Sequence, residues 1–214
     1  TKKVEISIIK FLQSASNPFY DFIFIFVSEL ASYKGFLITF AIFFILLLVK
    51  MKKKKNSTSF CLFTLSFGVT YGLSVLINTL LKALINRPRP YEVDASILDM
   101  FHASGQSMPS GHTLSATIIC AFIFFSVYYY SKNRALKISL ASVLALFLVL
   151  VGISRMYLGQ HFISDVIVGF FLALAFSVLG IYLFTILDKR FAYDNNRKNN
   201  KEEDKGENSH KKGD

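Results

Sequence analysis

The chain has 214 residues, of which 53% are hydrophobic, and its mean hydropathy is +0.45. Soluble domains of this size are not normally so apolar, so the composition indicates an integral membrane protein. The net charge of +10 does not indicate a nucleic-acid partner. Its cations lie between apolar segments and in the C-terminal tail, as in a membrane protein that meets the anionic lipids of an inner leaflet.

The N-terminal segment, residues 1–16, is predicted to form an interfacial amphipathic helix. Val4, Ile8, Phe11 and Leu12 follow helical spacing. The apolar part is too short and too mixed for a cleavable signal and lacks a small-residue cleavage site.

Six apolar segments follow and predict an all-α integral membrane bundle of six transmembrane helices over residues 17–187. A bilayer core of about 30 Å requires about 20 helical residues, so the shorter segments must include flanking residues. The remainder, residues 188–214, is rich in Lys, Asn, Asp and Glu, and predicts a disordered, charged cytoplasmic tail. The six segments are 18–30, 35–49, 60–85, 112–130, 138–152 and 162–187.

The distribution of Lys and Arg predicts the orientation in the cell membrane. If the N-terminus is cytoplasmic and six helices alternate, 19 of the 24 cations lie on the inner side. The positive-inside bias therefore favours cytoplasmic N- and C-termini. The exceptions concentrate in three polar segments that this topology places together on the outer side, which predicts an extracytoplasmic active site.

These three polar segments, residues 82–90, 109–112 and 154–165, carry most of the functional information. Each lies at the edge of an apolar stretch, where ionisable groups are costly and by default functional. Together they supply two histidines, several cations, a carboxylate and a small-residue turn. This mixture suits binding a phosphate and cleaving its ester or anhydride bond.

In the third segment, His161 and Asp165 are four residues apart and would share one face of a helix. The carboxylate would accept the Nδ1 proton and leave the other nitrogen as a nucleophile or base. A His–Asp pair that only satisfies itself at a helix end is the structural alternative.

In the second segment, Ser110, Gly111 and His112 lie where a helix should begin. The free N–H groups and positive dipole of a helix N-terminus favour phosphate, and Gly111 permits close approach of the backbone. His112 would suit protonation of the leaving oxygen. An ordinary helix-start turn is the alternative here.

In the first segment, Lys82 and Arg89 would neutralise a phosphate, unless they only anchor a helix end to lipid headgroups. Pro88 predicts that the preceding helix ends near Asn86. Arg87 is the better candidate for an anchor, although its contact with phosphate stays open. The 97–108 loop is expected to border the site, and His102 within it is interpreted as a loop residue.

Taken together, the three segments resemble the signature of the membrane type-2 phosphatidic acid phosphatases, K-x6-R-P, P-S-G-H and S-R-x5-H-x3-D. The resemblance spans about residues 82–165, in the correct order and spacing. The matching positions are Lys82, Arg89, Pro90, Pro109, Ser110, Gly111, His112, Ser154, Arg155, His161 and Asp165.

The resemblance implies a phosphohydrolase that needs no metal or other cofactor and acts on a membrane lipid phosphate. By this resemblance His161 forms a phosphohistidine, Asp165 orients it, and His112 protonates the departing oxygen and later activates water. The phosphoryl oxygens would be held by Lys82, Arg89, Ser110, Gly111 and Arg155.

Other classes fit the pattern less well. A transporter would place ionisable residues near the midplane of broken helices, often in repeated halves. Vanadate-dependent haloperoxidases have a similar site, but their known relatives are soluble. Zinc-dependent hydrolysis is disfavoured because the sequence lacks a ligand-rich cluster. A non-catalytic lipid-binding scaffold is a further alternative.

Undecaprenyl diphosphate is the leading candidate substrate. The other candidates are phosphatidylglycerophosphate, phosphatidate and lipid A phosphates.

Overall fold

The computed structural model describes residues 2–52, 57–102 and 104–210, and over these residues the chain forms helices and no strands. Several helix starts carry the expected signals: Asn17 caps α2 ahead of Pro18, and Asn133 caps α7. The helices are α1 Lys2–Gln13, α2 Pro18–Leu30, α3 Tyr33–Lys52, α4 Ser57–Ile85, α5 Pro90–Val93, α6 Gly111–Tyr130, α7 Arg134–Tyr157 and α8 Ile163–His210.

The prediction of six spans is not confirmed, because the described part of the chain has four helices long and apolar enough to cross a membrane. With 13 residues, α2 is about 20 Å long at 1.5 Å per residue, short of the bilayer core. It forms a pair with α3, bent by 51°, that would make a fifth span. The four spans are Thr58–Val93, Gly111–Tyr130, Arg134–Tyr157 and Ile163–Tyr193. These helices make the chain a multi-pass membrane protein.

The helix ends define two faces of the bundle. We call the end where α4 and α7 finish and α6 and α8 begin the site face. At the opposite end, Tyr130 of α6 hydrogen bonds with Ser59 of α4, and Tyr129 donates to Asp188 of α8. The bent pair spans the same distance, since α2 begins beside Tyr157 at the site face and α3 packs Phe43 against Phe60 near the opposite face.

The N-terminal helix lies on the site face, which corrects the prediction that both termini share the opposite side. Lys10 forms an ion pair with Asp94 at 2.8 Å, and the Gln13 amide donates to the carbonyl of Leu98. Ile9 is fully buried in a small cluster with Ile97, Met156 and Phe162. Val4 and Phe11 remain exposed, so an additional contact of α1 with the membrane surface stays a prediction.

Aromatic packing dominates the core between α3, α4, α6 and α8. Phe63 and Phe67 are fully buried and contact Phe43, Phe122 and neighbouring rings at centroid distances of 5.1–6.1 Å. Aromatic rings in such tilted and edge-to-face arrangements add stabilisation beyond their buried area. This core packs α6 against α8 between the site face and the opposite face.

The last helix extends beyond the predicted membrane segment. α8 continues through His210, whereas the composition predicts disorder from residue 188 onward. No proline interrupts residues 163–210, and the Lys and Glu residues of this segment have good helix propensity. Residues 211–214 of the predicted tail lie outside the described residues.

Candidate active site

The structure brings the predicted site residues together at the site face. His112 lies within electrostatic range of four of them, Arg155, His161, Arg89 and Lys82. Asp165 in turn interacts with Lys82. Residues up to 83 positions apart in the sequence thus converge because four helices end at one place.

His161 precedes α8 rather than lying on it, so the prediction that it shares a helix face with Asp165 is wrong in detail. The two side chains are nevertheless adjacent, with 3.7 Å between His161 Nδ1 and Asp165 Oδ2, which is longer than a hydrogen bond. The Asp165 carboxylate instead accepts the Phe162 N–H at 2.8 Å, as an acidic residue does in a capping box.

His161 is 2% exposed and unprotonated at neutral pH. Burial lowers the pKa of His161 to about 3, and the positive charges of Arg155 and Arg89 act in the same direction, against the opposing effect of Asp165. A neutral imidazole retains a free lone pair, which a nucleophile requires.

The start of α6 provides backbone donors. Ser110 is the N-cap residue, and its Oγ accepts from Thr113 Oγ1 at 3.0 Å and, more weakly, from the Thr113 N–H at 3.4 Å. The first N–H groups of a helix have no intrahelical partner, so Gly111 and His112 present donors at the end of the helix dipole. The ring of Phe101 meets the His112 ring edge-to-face, with 5.7 Å between centroids.

Arg155 is fully buried and incompletely paired. Its Nη1 donates to Ser28 Oγ of α2, but its Nε and Nη2 have no hydrogen-bond partner among the described residues. Phe101 lies below the guanidinium, 4.8 Å from Cζ to the ring centroid. A buried cation with unpaired donors is costly, so this position favours an anion.

Lys82 and Arg89 both bind carbonyls of the loop between α5 and α6. Arg89 Nε donates to Gly105 O at 2.7 Å and Nη2 to Ser104 O at 3.0 Å, while Lys82 Nζ donates to Gln106 O. The predicted helix end is confirmed, since α4 stops at Ile85 and the next residue, Asn86, has a φ of 47°.

Sequence reasoning missed several residues that hold the site in place. Gln160 accepts from Arg89 Nη1 at 3.0 Å, and Ser107 Oγ donates to Asp165. Gln160 lies within the third polar segment and Ser107 within the loop expected to border the site, so the sequence indicates that they are near the site but not which groups they bind. Arg87, whose role the sequence left open, donates to Asp165 Oδ1 at 2.5 Å. The side chain of His102 is 87% exposed beside Asp99, which agrees with its interpretation as a loop residue.

A cavity of about 360 Å³ adjoins His112. One side is formed by Tyr71 and Asn78 of α4, and its other end reaches the α2–α3 bend, where Lys34 and Glu29 form a 2.6 Å ion pair. The described part of the chain contains no cluster of three or more His, Cys, Asp or Glu side chains placed to hold a metal ion.

The family follows from a comparison with known proteins. Residues 63–189, more than half of the chain, match the family model of the PAP2 superfamily. The chain belongs to the PAP2 superfamily. This membership confirms the resemblance carried by the three motifs.

Several PAP2 relatives have names that describe lipid phosphatases. The chain is 38% identical over 110 residues to phosphatidylglycerophosphatase B of Bacillus subtilis, which covers 50% of each chain. It is 27% identical over 175 residues to undecaprenyl-diphosphatase BcrC of the same organism, covering 82% of this chain and 79% of the relative. The chain thus spans about half the length of the first of these relatives.

Solved PAP2 structures share the fold. The transmembrane PAP2 type phosphatidylglycerolphosphate phosphatase from Bacillus subtilis aligns with a TM-score of 0.70 at 25% identity, covering 88% of this chain and 86% of that one. Aquifex aeolicus LpxE aligns with a TM-score of 0.61 at 23% identity, over 82% and 93% of the two chains, and supports the fold alone.

Proposed function

We propose that this chain is a membrane lipid phosphatase that uses His161 as a nucleophile on a terminal phosphate. The observation that carries the proposal is the fully buried Arg155, whose Nε and Nη2 lack partners beside a neutral His161. A phosphoryl group would satisfy both donors, and Arg suits two-point recognition of its oxygens. Lys82, Arg89, Ser110 and Gly111 would complete the binding site.

In the first step, a nitrogen of His161 attacks phosphorus while the bond to the leaving oxygen breaks. Nδ1 faces Asp165, so Nε2 is the nitrogen that we expect to react. His112 would give its proton to the leaving oxygen. The positive charge that develops on the His161 ring would be stabilised by the Asp165 carboxylate, and the cations would stabilise the transferring phosphoryl group.

In the second step, water attacks the phosphohistidine and His112, now neutral, takes its proton. The P–N bond breaks, and the products are inorganic phosphate and the dephosphorylated lipid. His112 ends the cycle protonated, and His161 ends it neutral. The same residue therefore serves as acid and then as base.

We place the leaving group in the cavity beside His112, because the proton donor must face the departing oxygen. Undecaprenyl diphosphate is the leading substrate, supported by the similarity to undecaprenyl-diphosphatase BcrC over most of both chains. Its leaving group would be a lipid monophosphate, whose negative charge would compete with Glu29 for Lys34 at the far end of the cavity.

Phosphatidylglycerophosphate is the second candidate. It is supported by the 38% local identity to phosphatidylglycerophosphatase B. Its leaving group also carries a phosphate, in a diester, so the same cavity and the same Lys34 suit it. Phosphatidate, whose leaving group carries none, would gain nothing from this cation.

We also propose that the site faces the extracytoplasmic side of the cell membrane. Because α1 lies on the site face, its Lys2, Lys3 and Lys10 no longer count toward the opposite face. Of the 24 cations, 16 then remain in segments assigned to the opposite face. The positive-inside bias therefore still favours a cytoplasmic location for that opposite face. A lipid headgroup in the outer leaflet would reach the site without crossing the bilayer.

The test is phosphate release by the purified protein from undecaprenyl diphosphate, phosphatidylglycerophosphate and phosphatidate, each with EDTA present. We expect release from the first two at a higher kcat/KM than from phosphatidate. The Lys34→Met variant should reduce this preference, and Lys132→Met, exposed at the opposite face, is the matched control. Release that is lost in EDTA and restored by Mg²⁺ would contradict the mechanism.

A further inference from the structure

Glu5 of the N-terminal helix is hydrogen bonded to the start of α8. Its Oε1 accepts the backbone N–H of Ser164 at 3.1 Å and the Ser164 hydroxyl at 2.6 Å. Its Oε2 accepts from Arg87 Nη2 at 2.9 Å. The side chain is only 12% exposed, so these bonds are largely shielded from solvent. Glu5 therefore links α1, the segment after α4 and the N-terminus of α8.

Arg87 extends this link to the catalytic carboxylate. Its Nη1 donates to Asp165 Oδ1 at 2.5 Å and to Ser164 Oγ at 2.6 Å. Its guanidinium lies over the ring of Phe162, 4.2 Å from Cζ to the centroid. A planar guanidinium held on three sides in this way has one orientation, which a lysine could not reproduce.

The contacts fix which oxygen of Asp165 faces His161. Arg87 holds Oδ1, whereas Oδ2 accepts from Ser107 Oγ and the Phe162 N–H and lies 3.7 Å from His161 Nδ1. Without Arg87, the fully buried carboxylate would lose its ion-pair partner on the Oδ1 side. It could then rotate away from the histidine.

The charges of the link explain why it needs Glu5 as well as Arg87. The role proposed for Asp165 is to oppose the positive charge that appears on the His161 ring when the P–N bond forms. Arg87 alone would neutralise that carboxylate. Glu5 neutralises Arg87 in turn, so that the three groups together keep one net negative charge beside His161.

We infer that Glu5 and Arg87 are positioning residues for Asp165, and that α1 is therefore a working part of the active site. This inference rests on the proposed function, in which His161 is the nucleophile. Glu5 lies outside residues 63–189, the region that the family model matches, and Arg87 is not part of the K-x6-R-P motif. The link is thus assigned by the contacts of this chain.

The experiment compares Glu5→Gln, Arg87→Gln, Arg87→Lys and the double variant E5Q/R87Q in the full chain. Glu5→Gln has nearly the same shape, but it removes the charge and replaces one of the two accepting oxygens by an NH2 donor. We expect kcat to fall roughly ten- to a hundredfold in each single variant, as for the outer partners that orient metal ligands, with KM for the lipid within twofold of wild type. The double variant should lose less than the product of the single losses, because both residues act through Asp165.

Lys10→Gln is the matched control, since it removes an exposed ion pair between the same helix and Asp94. It should keep kcat within twofold of wild type. The inference is overturned if Glu5→Gln and Arg87→Gln keep the wild-type kcat, or if their losses are confined to KM. It is also overturned if the losses multiply in the double variant, or if Lys10→Gln loses as much activity.

A second measurement separates this inference from the proposed function. Orthovanadate, a phosphate analogue that accepts a histidine nitrogen as a ligand, should raise the melting temperature of the wild-type protein in detergent. Glu5→Gln and Arg87→Gln should reduce this shift by at least half, whereas Lys10→Gln should keep it. If the wild-type protein binds vanadate but releases no lipid phosphate, the proposed function fails. The vanadate-induced shifts in the melting temperature of the variants then still test the inference. An unchanged shift in Glu5→Gln and Arg87→Gln overturns it.

Discussion

Gly169 of α8 lies against the backbone of Ser110, so closely that a Cβ atom on Gly169 would stand 2.7 Å from the Ser110 carbonyl oxygen. Real Cβ atoms do not approach backbone oxygens to that distance, so any side chain here must push α6 and α8 apart. A further bond ties the same two elements, from the Ser110 N–H to the Asp165 carbonyl oxygen at 3.1 Å. The proposed phosphate donors at the start of α6 are thereby placed relative to His161 by this contact.

The first prediction is that Gly169→Ala lowers kcat/KM by about ten- to a hundredfold, because small displacements of positioning groups are expensive in catalysis. Gly72→Ala is the control, since a Cβ on Gly72 of α4 meets no atom within 4 Å. Alanine there removes a helix glycine and should stabilise or leave unchanged the folded state. Phosphate release and melting temperature are measured for both. Wild-type activity in Gly169→Ala would show that this contact does not place the donors.

The second prediction concerns Arg155 and separates stability from binding. Arg155→Met should abolish most phosphate release, by about a hundredfold or more, because it removes donors aimed at the developing charge. Its melting temperature without phosphate should equal or exceed that of the wild type, since an incompletely paired buried cation is replaced by an apolar side chain. Added orthovanadate should stabilise the wild type and not the variant. A large loss of stability in the vanadate-free variant would indicate that Arg155 is a structural residue.

The third prediction follows from the lowered pKa of His161. Burial, together with Arg155 and Arg89, lowers that pKa to about 3, while an unfolded histidine titrates near 6.5. Below pH 6.5 the unfolded state therefore binds a proton that the folded state does not. The stability contribution is complete above pH 6.5 and is lost progressively as the pH falls toward 3. The melting temperature of the wild type should thus fall more steeply from pH 7 to pH 5 than that of His161→Gln. Parallel curves would contradict the burial of a neutral His161.

The helix ends that carry the candidate site could be predicted from the sequence because each motif lies at a helix end with its own signals. Pro88 indicates the end of α4, and Ser110 indicates the start of α6. These features depend on a few neighbouring residues, so the spacing of the motifs indicates that Lys82, Arg89 and His112 lie at or near helix ends.

The placement of α1 and the bend between α2 and α3 could not be predicted in the same way. The pattern of apolar residues in α1 shows that one face is covered, but it does not show whether lipid or protein covers it. Glu5 meets Arg87 only in the folded chain, 82 positions away. Between α2 and α3, Ala31 and Ser32 do not indicate that the chain bends instead of leaving the bilayer, so the sequence predicts two spans. Gly35 lies at this bend, where a Cβ would overlap the Leu30 carbonyl oxygen.

The fourth prediction tests the faces of the bundle with single cysteines in a background that lacks Cys61 and Cys120. Ser14 and Ser104 are exposed on the site face, and Lys132 is exposed at the opposite face. A membrane-impermeant thiol reagent added to intact cells should label Ser14→Cys and Ser104→Cys and spare Lys132→Cys. Labelling of Lys132→Cys alone would invert the proposed orientation. Labelling of Ser104→Cys without Ser14→Cys, when both react in opened cells, would contradict the placement of α1.

The fifth prediction distinguishes the histidines. His102→Ala should keep activity within about twofold of wild type, because its side chain is exposed and, among the described residues, paired with Asp99. His112→Ala should lose turnover yet still form a phosphoenzyme with an activated leaving group, which needs less protonation. His161→Ala should do neither. A loss in His102→Ala as large as that in His161→Ala would contradict the site assignment.

The central claim is tested most directly by rapid quenching of the protein with a lipid diphosphate labelled with ³²P in its terminal phosphate. The account predicts protein-bound label that is stable to alkali and lost in acid, as expected of a phosphohistidine, in the wild type. It predicts no bound label and no released phosphate in His161→Ala. Release of phosphate by His161→Ala at the wild-type rate would contradict it.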